Sequence, residues 1–233
     1  MAAAIEVSKL VYNYSDDMPF FQDVSFSIEE GEKVALVGAN GTGKSTLLYQ
    51  LNGILQGKGL VRIQGLELNQ RNLNHIRALV GLVFEIPDDQ LFSPTVYDDV
   101  AFGPRYQNLS RQVVNQRVQQ ALTQVNMEKY ARQAPLHLSQ GEKKRAAIAT
   151  VLSMQPSILL LDEPTNGLDR RSRRSLIALL HELPQTMLIA THDLEMALQI
   201  TSRTLLMDGG RIVADGKTDE ILRNEDLLLT HGL

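Results

Sequence analysis

Cysteine is absent from the 233 residues, which excludes disulfides and thiolate metal sites but leaves the compartment open. Long apolar runs are missing too. No stretch approaches the roughly 18 to 20 residues that span a bilayer, so the expectation is a chain that is not itself integral to a membrane. There is no secretory signal pattern, and a cytosolic location is the default. Basic charge is not in excess: the net charge of −4 argues against nucleic-acid binding driven by bulk charge. Only a local strip, "KKR" from Lys143 to Arg145, remains to meet phosphates or acidic partners. What is present is ordinary globular composition, 43% hydrophobic and 21% charged, at a length that suits one large domain or a domain with a small lobe.

Short runs of strand character fill the first third: "IEVSKLV", "VSFSI", "KVALVG", "GLVRI" and "ALVGLVF". A helical pattern beginning at Lys44 interrupts them. From Ser110, a candidate N-cap, the period changes, with Val114, Val118, Ala121, Leu122 and Val125 on one helical face. "KKRAAIATVLSM" follows as a second helix, so the middle of the chain reads as a helical insertion. The last third alternates strand "SILLLD", a helix near 170–183, strand "TMLIA", a helix near 193–200, and strand "TLLM" with a hairpin turned by "DGGR". Fully apolar strands alternating with helices imply an α/β chain with a largely parallel sheet covered on both faces.

"GANGTGKST", Gly38 to Thr46, follows an apolar strand and opens a helix, the context that the P-loop pattern requires. Gly38, Gly41 and Gly43, with Asn40 between them, allow backbone amides to turn around phosphate oxygens, and the helix start at Ser45 and Thr46 adds partial positive charge. Lys44 reaches the β- and γ-phosphates, and Ser45 is a ligand candidate for Mg²⁺. "ILLLDEPT", Ile158 to Thr165, is a buried strand ending in two acids. With a P-loop upstream, Asp162 is the metal-side candidate and Glu163 the general base. Taken alone, acids after a strand more often belong to a solvated loop. "THD" follows another apolar strand, which puts His192 at the same carboxyl edge of the sheet, in reach of a γ-phosphate. "LSQGEKKR" sets Ser139 and Gly141 at a helix start, where they could hold a phosphate or simply cap the helix.

The order of these motifs, P-loop, "LSQGE", "LLLDEP", "NGLD" and "THD", resembles the nucleotide-binding subunit of an ABC transporter over nearly the whole chain. The resemblance implies one ABC ATPase domain over residues 1–233 with an antiparallel N-terminal β subdomain and a helical subdomain at roughly 85–155. It implies ATP and Mg²⁺ as ligands, and Tyr14, in preference to Tyr12, stacked on adenine. It also implies a head-to-tail pair, homo- or heterodimeric, in which Ser139 and Gly141 of one subunit close on ATP held by the other, with Gly167 to Asp169 at the interface. "VFEIPDDQLFSPTVYDDVAFGP" is similar to the energy-coupling-factor ATPases, the cobalt, nickel and vitamin uptake group. By that likeness the chain sits at the cytoplasmic face of the cell membrane, beside a coupling subunit and a substrate-binding subunit, without nucleic acid. Leu91 and Phe92 are then a docking surface; the alternative is that they tuck back into the chain's own core.

Three positions depart from the family's commonest sequence. Glu85 stands where a glutamine usually contacts Mg²⁺ and the attacking water; it can still ligate Mg²⁺ or accept from water but cannot donate. Gln140 replaces the first glycine of "LSGGQ", and Glu142 its glutamine. In the group, some members extend beyond the last helix, and with little chain after it here the isolated subunit is expected to be monomeric. Rival readings are a non-catalytic ATP-holding partner, against which Glu163 and His192 speak, and a soluble ABC-type ATPase of DNA repair or translation, against which the lack of a coiled-coil insertion speaks.

Overall fold

Residues 158–161 and 187–190 are unbroken apolar runs, and strands of that kind need cover on both faces. The computed structural model describes residues 3–14 and 20–233. In chain order the first elements are β1 (Ala3–Tyr12), β2 (Phe21–Glu29), β3 (Lys33–Val37), α1 (Lys44–Asn52), β4 (Lys58–Ile63), β5 (Leu66–Glu67), α2 (Leu73–Leu79) and β6 (Val80–Val83). Then follow α3 (Val96–Tyr106), α4 (Arg111–Gln124), α5 (Gln140–Leu152), β7 (Ile158–Asp162), α6 (Arg170–Glu182) and β8 (Thr186–Thr191). The chain closes with α7 (Leu194–Ile200), β9 (Arg203–Asp208), β10 (Arg211–Lys217), α8 (Thr218–Leu222) and α9 (Glu225–Thr230).

The fold is α/β. A six-stranded sheet runs β10-β9-β3-β8-β7-β6, parallel throughout except for the β9–β10 hairpin, and a four-stranded antiparallel sheet runs β2-β1-β4-β5. Alternate side chains of β7 serve different cores, as a period of two dictates. Ile158 and Leu160 pack with the antiparallel sheet and α1, while Leu159 and Leu161 pack under α3 to α6. Because β3, β6, β7 and β8 are parallel and in register, with Val37 beside Thr191 and Asp162 beside Ala190, the segments after all four emerge at one sheet edge.

Two helices lie where the sequence pattern is poor. "ALVGLVF" is only partly strand, since Ala78 and Leu79 end α2. Helix α3 carries Gly103 and Pro104, which obscure its period, yet Thr95 caps it by accepting from the Asp98 amide at 3.1 Å. Pro104 has no N–H for the Val100 carbonyl, and the Ser153 hydroxyl donates to that carbonyl instead at 2.7 Å.

The stretch from Phe84 to Thr95 divides its two large apolar residues. Leu91 does not present itself for docking: it is 7% exposed and packs in the core with Val96 and Val100, because the 3₁₀ turn Pro87–Asp89 folds it inward. Phe92 is 67% exposed and meets Phe102 edge-on at 5.2 Å. Leu91→Ala is therefore expected to destabilise the chain by about 2–5 kcal/mol, read from the midpoint of denaturant unfolding.

Candidate active site

After β3 the chain turns through Gly38 to Gly43 and enters α1 at Lys44. Gly43 has φ 110°, and a Cβ there would stand 2.6 Å from the Phe21 ring, so only glycine fits. Among the described residues no side chain caps α1, which leaves its first amides directed at whatever the loop encloses. The Lys44 ammonium is buried, donating to the carbonyls of Gly38 at 2.8 Å and Ala39 at 3.1 Å, and lies 3.7 Å from Glu163 Oε1.

Asp162, the last residue of β7, is 1% exposed, and its Oδ1 has no hydrogen-bond partner among the described residues. Burial above all pushes its pKa up to about 6; the Ser45 hydroxyl opposes the shift, Glu85 and Glu163 add to it, and Lys44 counters. An orphaned carboxylate oxygen beside a serine hydroxyl is what a divalent cation would complete. Among the described residues no three acidic or imidazole side chains are arranged to hold a metal ion by themselves, a sparse donor set of the kind that binds Mg²⁺ with one or two carboxylates, waters and substrate phosphates.

Glu163 has left-handed backbone, φ 41°, a conformation that costs a non-glycine residue of order 1–3 kcal/mol. Its amide donates to Ala190 O at 2.9 Å. Its Oε2 accepts from the His192 amide at 3.2 Å and lies 2.9 Å from His192 Nδ1. The buried carboxylate is thus held between Lys44 and a half-exposed imidazole. Glu85, just beyond β6, accepts from Asn166 Nδ2 at 2.8 Å.

These groups enclose a cleft of about 350 Å³. It brings together Asn40, Gly41, Gly43, Lys44, Ser45 and Thr46 with Glu85, Glu163 and His192 from three other strand ends. Gly38 lies beneath, its carbonyl on Lys44, and Asp162 lies behind Ser45 and Lys44. Tyr14 is not among the lining residues; it is exposed, its hydroxyl 2.7 Å from Thr46 Oγ1, which does line the cleft, and Tyr12 meets the Tyr14 ring edge-on at 5.0 Å. Phe20 and Asn166 also line the cleft, and neither is among the candidates that the sequence offers. Asn166 has a signal in "NGLD", which points only to an interface; nothing in the sequence marks Phe20.

Ser139 and Gly141 do not line the cleft. Ser139 caps α5 in a reciprocal box, its hydroxyl accepting from the Glu142 amide at 3.4 Å while its own amide donates to Glu142 Oε2 at 2.9 Å. Tyr130 chiefly, then Ser139, holds the Glu142 carboxyl below the usual range against the opposing effect of burial. A Cβ at Gly141 would stand 2.8 Å from Ser172 Oγ, so close packing on α6 explains that glycine. Gln140 is exposed and needs no room within the chain. The "KKR" strip is engaged within the chain: Lys143 pairs with Asp88 at 2.6 Å, Lys144 is buried, and Arg145 donates to Val125 O and Ser175.

A family model described as "ABC transporter" matches residues 21–166. A Gloeobacter violaceus protein named as an ABC transporter ATP-binding protein is 50% identical over 238 residues, covering 100% of this chain and 97% of that one. The energy-coupling factor transporter ATP-binding protein EcfA of Carboxydothermus hydrogenoformans is 44% identical over 237 residues, covering 100% of this chain and 87% of its own. Among solved structures, CbiO1 of Clostridium perfringens, described as part of the ABC transporter complex CbiONQ, superposes with a TM-score of 0.88 at 35% identity, covering 99% of this chain and 94% of that one.

Proposed function

The chain belongs to the ABC transporter family, and from that premise we propose that it is the ATP-hydrolysing subunit that energises a membrane importer of the energy-coupling-factor type. The observation that carries this reading is the convergence of Lys44, Glu85, Glu163 and His192 on one cleft from four strand ends.

The triphosphate lies in the loop of Gly38 to Gly43, and Lys44 exchanges its carbonyl contacts for β- and γ-phosphate oxygens. Glu163, oriented by His192, takes a proton from a water aligned with the γ-phosphorus. The water oxygen bonds to phosphorus as the bond to the β-phosphate oxygen breaks, and ADP and phosphate leave. Lys44 and His192 lie where negative charge develops on the γ-phosphoryl group. Ser45, Asp162 and Glu85 are the residues that would hold Mg²⁺, which when bound neutralises charge on the β- and γ-oxygens. Tyr14 offers its exposed ring to adenine, supported edge-on by Phe20 at 5.0 Å.

Within one chain Ser139 and Gly141 stand outside the cleft, which supports a head-to-tail pair in which they close on the ATP of the other subunit. The second subunit is another copy or a related ATPase. Ile86, Phe92 and Phe102 are all exposed large apolar residues close in sequence to the γ-phosphate side of the cleft, and the last two touch. They are the surface for helices of a membrane coupling subunit, which keeps the chain at the cytoplasmic face. No described helix is long and apolar enough to cross a membrane itself. The cargo, a cobalt or nickel ion or a vitamin such as biotin, is chosen by a separate membrane subunit.

Phe92→Asp is expected to release the chain from washed membranes into the soluble fraction while its melting temperature stays unchanged, since Phe92 contributes little to the core. Retention of the variant on membranes at the wild-type level would count against this docking surface.

A further inference from the structure

Lys144, in the second turn of α5, is 1% exposed. Its ammonium donates to two backbone carbonyls, that of Glu85 at 2.6 Å and that of Glu163 at 2.9 Å. Burial lowers its pKa, and the charges of Glu85, Asp162 and Glu163 oppose that shift.

An apolar side chain would pack α5 against the sheet without bringing a charge out of water. What a lysine adds is a fixed bond to two peptide groups, and these belong to the two carboxylates of the cleft that follow β6 and β7. The Glu163 peptide is thereby held on both sides, its amide by Ala190 and its carbonyl by Lys144, around a left-handed backbone that would otherwise relax. The direction of the Glu163 carboxylate follows from that backbone. Ser139 and Gly141 lie about one helical turn before Lys144. Neighbouring contacts tie the same loop to the same helix: Lys143 to Asp88, and Gln90 Nε2 to Ala147 O at 2.9 Å and Thr150 Oγ1 at 2.8 Å.

We propose that Lys144 is a positioning residue for hydrolysis, locking α5, the Glu85 peptide and the Glu163 peptide into one unit so that displacement of α5 is passed to the Glu163 carboxylate. The inference rests on Glu163 as the general base. A lysine that merely pinned α5 would affect stability and leave the work of Glu163 untouched.

A double-mutant cycle separates these. Wild type, Lys144→Met, Glu163→Gln and the double variant are assayed for single-turnover ATP cleavage and for ATP affinity, in the complex purified from host membranes. Lys144→Met keeps the apolar stem and loses both bonds; a misplaced base lowers the cleavage rate by about 10- to 100-fold with ATP affinity held within about twofold. In its background Glu163→Gln costs less than about tenfold more, in place of about 10²- to 10⁴-fold alone. Additive effects, or a folded Lys144→Met with normal cleavage, overturn the proposal and leave Glu163 as base. Normal cleavage by Glu163→Gln alone overturns the base assignment and the proposal with it. Where Lys144→Met does not fold, Lys144→Gln, which retains one amide donor, runs through the same cycle with the same coupling expected, and additivity there overturns the proposal equally.

Discussion

Glu163→Gln is expected to cut ATP turnover by about 10²- to 10⁴-fold and leave ATP binding intact. Glutamine matches glutamate in size and can still accept from the His192 amide, so the left-handed turn after β7 and its hydrogen bond to Ala190 persist. What disappears is the ability to take a proton from water. The substitution also removes the negative group 3.7 Å from Lys44, freeing that ammonium for phosphate oxygens. Nucleotide affinity should therefore hold or tighten. Turnover and equilibrium binding of ATP, measured on the same preparation, separate the two effects, and unimpaired turnover would remove Glu163 from the role of base.

Asp162→Asn should do two opposed things. It should abolish Mg²⁺-supported turnover, because the buried carboxylate is the one described acid with an unpaired oxygen beside Ser45, and it should stabilise the nucleotide-free chain. The second effect follows from linkage. The folded pKa is raised from 3.8 to about 6, so between those values the native state binds more protons than the unfolded one and stability falls as pH rises. Above pH 6 the whole penalty is present, of order 3 kcal/mol for a shift of this size. The amide that replaces the carboxyl carries no charge and escapes it. Melting temperatures of the two proteins without nucleotide should converge near pH 4 and separate by pH 7, with the variant higher. A wild-type curve that rises with pH through that window relative to the variant would show that Asp162 is not strained by burial.

Much of the cleft was legible because the sequence carries it in local patterns. A glycine-rich turn between a strand and a helix, acids ending an apolar strand, and a histidine after another strand all fall at the carboxyl edge once the strands are parallel, and the sheet order does bring Lys44, Glu163 and His192 together. The less legible features depend on packing between distant segments. Leu91 and Phe92 are neighbours of like character, and only the 3₁₀ turn at Pro87 decides which one enters the core. Helix α3 was hidden by Gly103 and Pro104, and the cost of that proline is offset by a hydroxyl at the end of α5, that of Ser153. Lys144 looked like part of a basic surface strip because a charge pattern does not reveal which stem points inward. Asn166 likewise acquires a contact with Glu85 only when β6 and β7 lie side by side.

The most direct test is to tag the chain in its own host, extract membranes gently in detergent, and identify by mass spectrometry what remains bound. The expected result is a transmembrane coupling subunit together with a small integral-membrane substrate binder, lost when Phe92 is changed to aspartate. Recovery of soluble partners alone, such as ribosomes or DNA-repair proteins, would contradict the importer reading and leave the exposed pair Phe92 and Phe102 needing a different explanation.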